Sequence, residues 1–352
     1  MCQNIKKLFF LFLMIVISSC KQGANKKNKI IFDRIEYIYS LKSVVNDNTW
    51  KGFTDPKFSI PLIYYTGSSC YVVNPTGKFI ELYTPLLVYA NNKLKIYKTK
   101  LLDSISFHMA TGITFGDSTS DYNYKSPFMN CSSVEITKKA IPGVNSTELW
   151  ATMVIHECFH GFQYKHISYL NYIMNVIGKY PSDTLEKIYK ANKWYQESID
   201  KENNMLLAAI KSSNSLYTKK FIDTFFQLRN QRRLRTVKEL NFNVKPLEEI
   251  YGTMEGTARY VEFSLYKDFA TMPADNELAK LDTSYHSYQY FKHYKINEDQ
   301  WLYLTAKTSY FYAIGFNMAR LLDKLKIDYK RRLFNEGNLS LGQILLQSQK
   351  SK

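Results

Sequence analysis

The stretch His156-Glu157-Cys158-Phe159-His160 constrains this chain most, because its chemistry makes sense only on a helix and its surroundings only inside a core. On an α-helix, histidines four residues apart share a face and can clasp one metal ion. Glu157, one step round, reaches a water at that metal. Met153, Val154, Ile155, Cys158, Phe159 and Phe162 place apolar side chains on nearly every side of the motif, as in a buried helix. Two imidazoles and a carboxylate there need partners. The motif thus asks for a body large enough to enclose a helix, and 352 residues that are 45 % hydrophobic and 15 % aromatic provide it. With 28 Tyr and 22 Phe against 14 Gly and 9 Pro, wholesale disorder and collagen-like or Pro/Gly-rich classes are excluded.

A catalytic zinc takes a third protein ligand and keeps one position open. Two candidates compete. His166 stands six residues beyond His160, the separation used where a metzincin helix ends at a Gly and the chain folds back. Here Gln163 holds the Gly position, and in a continuing helix His166 is turned roughly 120° from His160, so it ranks second. Glu255 ranks first, within Tyr251-Gly252-Thr253-Met254-Glu255-Gly256-Thr257-Ala258-Arg259-Tyr260-Val261-Glu262. At this point the chain resembles the gluzincin branch of the zincin metallopeptidases, in which H-E-x-x-H and a Glu on another helix make the site. Several such families show H-E-x-x-H-x-x-Q followed by E-G-x-A-x-Y. His156, Glu157, His160 and Gln163, then Glu255, Gly256, Ala258 and Tyr260, match both halves.

The resemblance implies a zincin-like α+β fold, Zn²⁺ on His156, His160 and Glu255, and Glu157 as general base for attack of water on a peptide or protein substrate. Gly252, Gly256 and Ala258 strip bulk from around Glu255, so its backbone is expected to approach the motif helix. Glu248, Glu255 and Glu262 are seven residues apart and share a face, a spacing that usually marks a solvated stripe. Glu262 is the fallback ligand, or a partner that orients a histidine or pairs with Arg259. The 95-residue gap from His160 to Glu255 is much longer than in thermolysin-like enzymes, so the helices between are an insertion. The family also holds substrate as an added strand, for which Ser104 to Thr114 is the candidate edge. It stabilises the oxyanion with a Tyr, His or Arg. Tyr310 and Tyr312 are the candidates here, and Tyr312 is preferred. Two alternatives stand beside this reading: a non-catalytic binding lipoprotein on a zincin scaffold, and a zinc hydrolase of a non-peptide amide or ester.

The N-terminus indicates export. Lys6 and Lys7 precede an apolar run, Leu8 to Ile17, of signal-peptide length. Ile17-Ser18-Ser19-Cys20 resembles the lipobox of bacterial lipoproteins, which implies a signal peptide over 1–19, a lipidated Cys20 and a polar tether over 20–29. The chain is then expected on the bacterial cell envelope, lipid-anchored on the periplasmic side or the cell surface. Export argues against nucleic acid as the partner of the +16 charge, and no Walker or G-x-G-x-x-G pattern follows a strand. Cys70, Cys131 and Cys158 cannot form a disulfide framework, though a single Cys70–Cys131 bridge stays open. Cys158, roughly 200° round the helix from His156, reads as a buried small hydrophobe. The groups Arg229, Arg232, Arg233, Arg235 and Lys330, Arg331, Arg332 read either as binders of anionic surfaces or as exposed basic helix faces.

Two textures divide the rest. Residues 30–145 open with one helix, to about Val45, and continue with short aromatic and β-branched runs that predict strands at 60–65, 70–73, 79–83, 86–89 and 104–114. A loop is expected over 116–124. Residues 146–352 predict long helices over 148–179, 183–211, 215–239, 246–268 and 309–325, the zinc-binding part. The fold class is α+β, with a small N-terminal sheet and a mainly helical C-terminal part.

Overall fold

The computed structural model describes residues 28–115, 124–294 and 309–350. The lipobox, the signal sequence and residues 20–27 of the tether lie outside the described residues. Asn28 and Lys29, expected as its last two residues, already belong to the first helix, α1 (residues 28–48). Its apolar stripe of Ile31, Ile35, Ile38, Leu41 and Val45 is buried, as 3.6-residue spacing requires.

One six-stranded sheet follows, ordered β3-β4-β2-β1-β6-β5. Its strands are β1 (Leu62–Tyr65), β2 (Cys70–Val73), β3 (Leu86–Ala90), β4 (Lys95–Thr99), β5 (Met109–Phe115) and β6 (Tyr124–Ser132). All pairs are antiparallel except β1 with β6. Alternation along the strands sorts side chains onto two faces. Leu62, Tyr64, Tyr71, Val73, Met129 and Cys131 enter the main core, whereas Ile63, Tyr65, Cys70, Val72 and Phe128 enter a smaller cluster under Phe79. Cys70 and Cys131 therefore sit on opposite faces of the sheet, and both are free thiols.

Several expectations are corrected here. Residues 79–83 form no strand but the end of a helix, α2 (Gly77–Tyr83). Thr76 caps its start by accepting from Phe79 N, and Thr84 ends it in the left-handed region at φ 42°. A cap and a docking site for Phe79 override the β preference of its aromatics. Strands β4 and β6 and the helix α3 (Val134–Ala140) were not expected from the sequence, and of Ser104–Thr114 only the part from Met109 is strand. The stretch 116–123 lies outside the described residues, while Tyr124 already begins β6.

The helical part comprises α4 (Thr147–Tyr164), α5 (Ile167–Ile177), α6 (Thr184–Ala191), α7 (Lys193–Lys211), α8 (Ser215–Leu240), α9 (Lys245–Phe269), α10 (Asn276–Leu281), α11 (Tyr310–Lys324) and α12 (Leu341–Lys350). The spans expected at 148–179 and 183–211 are each broken in two, at Lys165–His166 and at Asn192. α4 starts where Ser146 accepts from Leu149 N, and Trp150 anchors it to the sheet by donating from Nε1 to Ser132 O at 2.9 Å. Arg34 of α1 forks onto Asp282, at 2.7 and 2.9 Å, and Thr147 donates to the same carboxylate. One core cluster runs from Ile31 to Leu345, joining the sheet-bearing and helical parts.

α9 and α11 cross without side chains between them. A Cβ on Gly256 would lie 2.4 Å from Gly315 Cα, and one on Gly315 would lie 1.8 Å from Gly252 O. Gly252 and Gly256 therefore admit α11, because they face the α11 side of α9, while α9 also lies close to the motif helix, whose Gln163 donates to Met254 O.

Candidate metal centre

α4 carries His156 and His160 on the face turned to α9, and α9 presents Glu255 between them. His156 Nε2 lies 3.5 Å and His160 Nε2 3.3 Å from the same atom, Glu255 Oε2. The donor atoms of this trio all fall within 4.8 Å of one another, and it is the one such group among the described residues. Glu255 Oε2 is buried and has no hydrogen-bond partner among the described residues. A buried carboxylate oxygen left without a donor, facing two imidazole nitrogens, fits a cation better than a hydrogen-bond network.

The other ring nitrogen of each histidine is held. His156 Nδ1 lies 3.1 Å from Glu262 Oε2, so Glu262 orients this imidazole, one of the three roles expected of it, and Arg259 spreads over the Tyr312 ring at 4.5 Å. His160 Nδ1 lies 2.9 Å from Gln163 Oε1, while Gln163 Nε2 donates to Met254 O and Thr257 Oγ1, each at 2.9 Å. A backbone carbonyl only accepts, so the amide orientation is settled and His160 must carry its proton on Nδ1. In its neutral form each ring then turns an Nε2 lone pair to the Glu255 side, and in its charged form an N–H. Burial opposes charge on His156, but the Glu255 and Glu262 carboxylates outweigh it and push its pKa up to about 10. His160 moves the same way, against burial, through Glu255. Burial likewise opposes ionisation of Glu255, yet His160 and His156 hold it well below the usual carboxylate range.

Glu157 points to the sheet. Its Oε2 accepts from Thr111 N at 2.9 Å, and its backbone carbonyl accepts from the Thr111 hydroxyl. Thr111 lies on β5, an edge of the sheet, and because His108 O pairs with Ser132 N, alternation turns the Thr111 amide to the unpaired side. The candidate edge strand thus reaches the candidate base directly.

Tyr312 enters the site from α11. Its ring stacks on His156 at 6.1 Å between centroids and 21°, and burial, then Glu255, push its pKa well up. Tyr310 is elsewhere: fully buried, it donates to Glu248 Oε1 at 2.9 Å. His166 is also excluded. Helix α4 ends before it, its Nδ1 donates to Phe162 O at 2.8 Å, and its ring stacks on Phe58 at 4.4 Å. Cys158 is buried as expected, and burial pushes its thiol up to about 11.

The stripe Glu248, Glu255, Glu262 is not solvated. Glu248 is 2 % exposed and accepts from Arg232, Arg233, Tyr195 and Tyr310. Arg229 and Arg232 are buried too, correcting the expected exposed basic face, whereas Lys330, Arg331 and Arg332 make pairs with Asp323, Asp328 and Glu336. The sequence assigned no role to Thr111 or Gln163. A strand amide leaves no trace in residue identity, but Gln163, three residues past His160, could have been read as its orienting partner. No protein-family model, curated protein or solved structure matches this chain.

Proposed function

We propose that this chain is a zinc-dependent metallopeptidase of gluzincin type, a hydrolase carried to the bacterial envelope and anchored by lipid at Cys20. The convergence of His156, His160 and the unpartnered Glu255 Oε2 on one buried point carries the reading. Residues 1–20 support the anchor, and among the described residues no helix is long and apolar enough to cross a membrane.

Zinc, when bound, polarises a substrate carbonyl and makes water a nucleophile at neutral pH. Glu157 takes the proton of the attacking water and passes it to the leaving amine, its carboxylate held at a fixed angle by Thr111 N. Glu262 and Gln163 keep the two imidazoles turned with Nε2 inward. With its pKa raised, the Tyr312 phenol keeps its proton at neutral pH and can donate a hydrogen bond to a developing oxyanion. The outer side of β5 offers backbone groups for an extended peptide.

Elemental mass spectrometry of the purified chain is expected to find about one zinc per molecule. Glu157→Gln should keep that zinc and lower turnover of a peptide library by about 10²–10⁴-fold. Retained turnover removes the mechanism; a folded chain that takes up no added zinc removes the reading.

A further inference from the structure

A cavity of about 410 Å³ opens between α1, the loop after it and the β3–β4 turn, and none of its lining residues belongs to the metal centre. Its volume lies in the range of pockets that enclose small organic molecules. Lys42 lines it and is only 8 % exposed. The ammonium sits between two rings, 5.0 Å from the Tyr39 centroid and 5.3 Å from that of Phe53, and has no ion pair or hydrogen bond among the described residues. Aromatic faces stabilise the charge, and none of the three N–H donors is taken by an acceptor among the described residues. With its stem buried and its ammonium opening into the cavity, Lys42 presents a positioned cation to an anionic group that enters.

Carboxylates face the same cavity. Asp55 precedes a short 3₁₀ turn yet makes no capping hydrogen bond with its side chain. Glu36 spends Oε1 on Tyr89 and on Asn91, the latter at 2.8 Å, and leaves Oε2 over. Lys93 adds a second ammonium at the rim. Lys42 and Asp55 thus share a cavity without pairing. The two acids disfavour a polyanion such as a phosphate ester, and the Lys42 ammonium disfavours a simple cation.

We propose that this cavity binds a small zwitterion, a free amino acid or short peptide, with its carboxylate on Lys42 and its ammonium on Asp55 and Glu36. The aromatic rings and the aliphatic stem of Lys42 supply the apolar wall for its side chain.

The test is calorimetric titration of alanyl-phenylalanine into the metal-free full chain carrying Glu157→Gln, so that the metal centre neither chelates nor cleaves the probe. Saturable binding is expected, with the N-acetylated and the C-amidated dipeptide each weaker by about 10-fold or more, the worth of one hydrogen bond to a charged group. Lys42→Met, which keeps an apolar stem between the rings, and Asp55→Asn, on an exposed loop, should each weaken the dipeptide to the same degree. Absence of binding at millimolar probe, unchanged affinity in Asp55→Asn, or equal binding of either blocked analogue overturns the proposal. Should Lys42→Met fail to fold, Asp55→Asn and the blocked analogues decide alone.

Discussion

Two glutamates on α9, one heptad apart and both shielded from solvent, have opposite surroundings. Glu248 is saturated: guanidinium groups of Arg232 and Arg233 and hydroxyls of Tyr195 and Tyr310 reach its oxygens at 2.6–3.2 Å. Glu255 has two imidazoles in front of it and an oxygen with no donor. Guanidinium groups are permanent cations, so the first cluster is complete as folded. Imidazoles are conditional ones, so the second is complete only with protons or with a metal in their place. What distinguishes framework from site on this helix is the kind of cation opposite the carboxylate, since burial is shared.

The contrast can be broken by removing either acid. Glu248→Ala leaves buried arginines short of a counter-charge and should cost about 3–5 kcal/mol of stability in urea denaturation, with zinc stoichiometry per folded chain unchanged. Glu255→Ala should do the reverse. Its zinc affinity is expected to fall by more than the roughly 10–100-fold that an outer partner is worth, with a smaller loss of stability in the metal-free state. Glu262→Gln sharpens the picture by keeping all three ligands; competition with a chromogenic chelator should show a loss of about 10–100-fold. An unaltered affinity there would make the His156–Glu262 contact incidental.

The smallest effect is the dependence of metal-free stability on pH, with opposite signs for the two clusters. His156 is raised from 6.5 to about 10, so its contribution is complete below pH 6.5 and is lost as pH climbs toward 10. Glu248 is lowered from 4.5, so its contribution is present above that value and drains as pH falls beneath it. Urea midpoints across pH should therefore decline on both flanks, with the alkaline decline reduced in Glu262→Gln and the acid decline reduced in Glu248→Ala. A flat alkaline flank would mean that His156 is not charged in the metal-free chain.

Much of this site was legible because helical spacing is written in residue order. His156, His160 and Glu255 meet as the two motifs imply, and Tyr312 arrives from α11. Periodicity reports that Glu248, Glu255 and Glu262 share a face, but not what packs on it. The arginines that convert a solvated stripe into a buried one come from α8, and only folding brings them there. Strands β4 and β6 escaped notice for a related reason: half-exposed Lys95–Thr99 lacks a clean alternation, and β6 carries a Pro, which ordinarily argues against an interior strand. The assignment of α2 failed because local β preference among Phe79, Ile80 and Tyr83 yielded to a cap and a packing contact.

The crossing of α9 over α11 has a mechanical consequence. Tyr312 stands three residues before Gly315, where the two backbones touch with nothing but hydrogens between them. Most side chains in a cleft are positioned by neighbours that can swap rotamers and so yield a little. Here the closest approach of the helix that carries Tyr312 to the helix that carries Glu255 is set by the hard radii of main-chain atoms, a stop rather than a spring. Thermal motion can swing the ring about its own bonds, but it cannot lower the helix that carries it. The tolerance of the site in that direction is the tolerance of the peptide backbone.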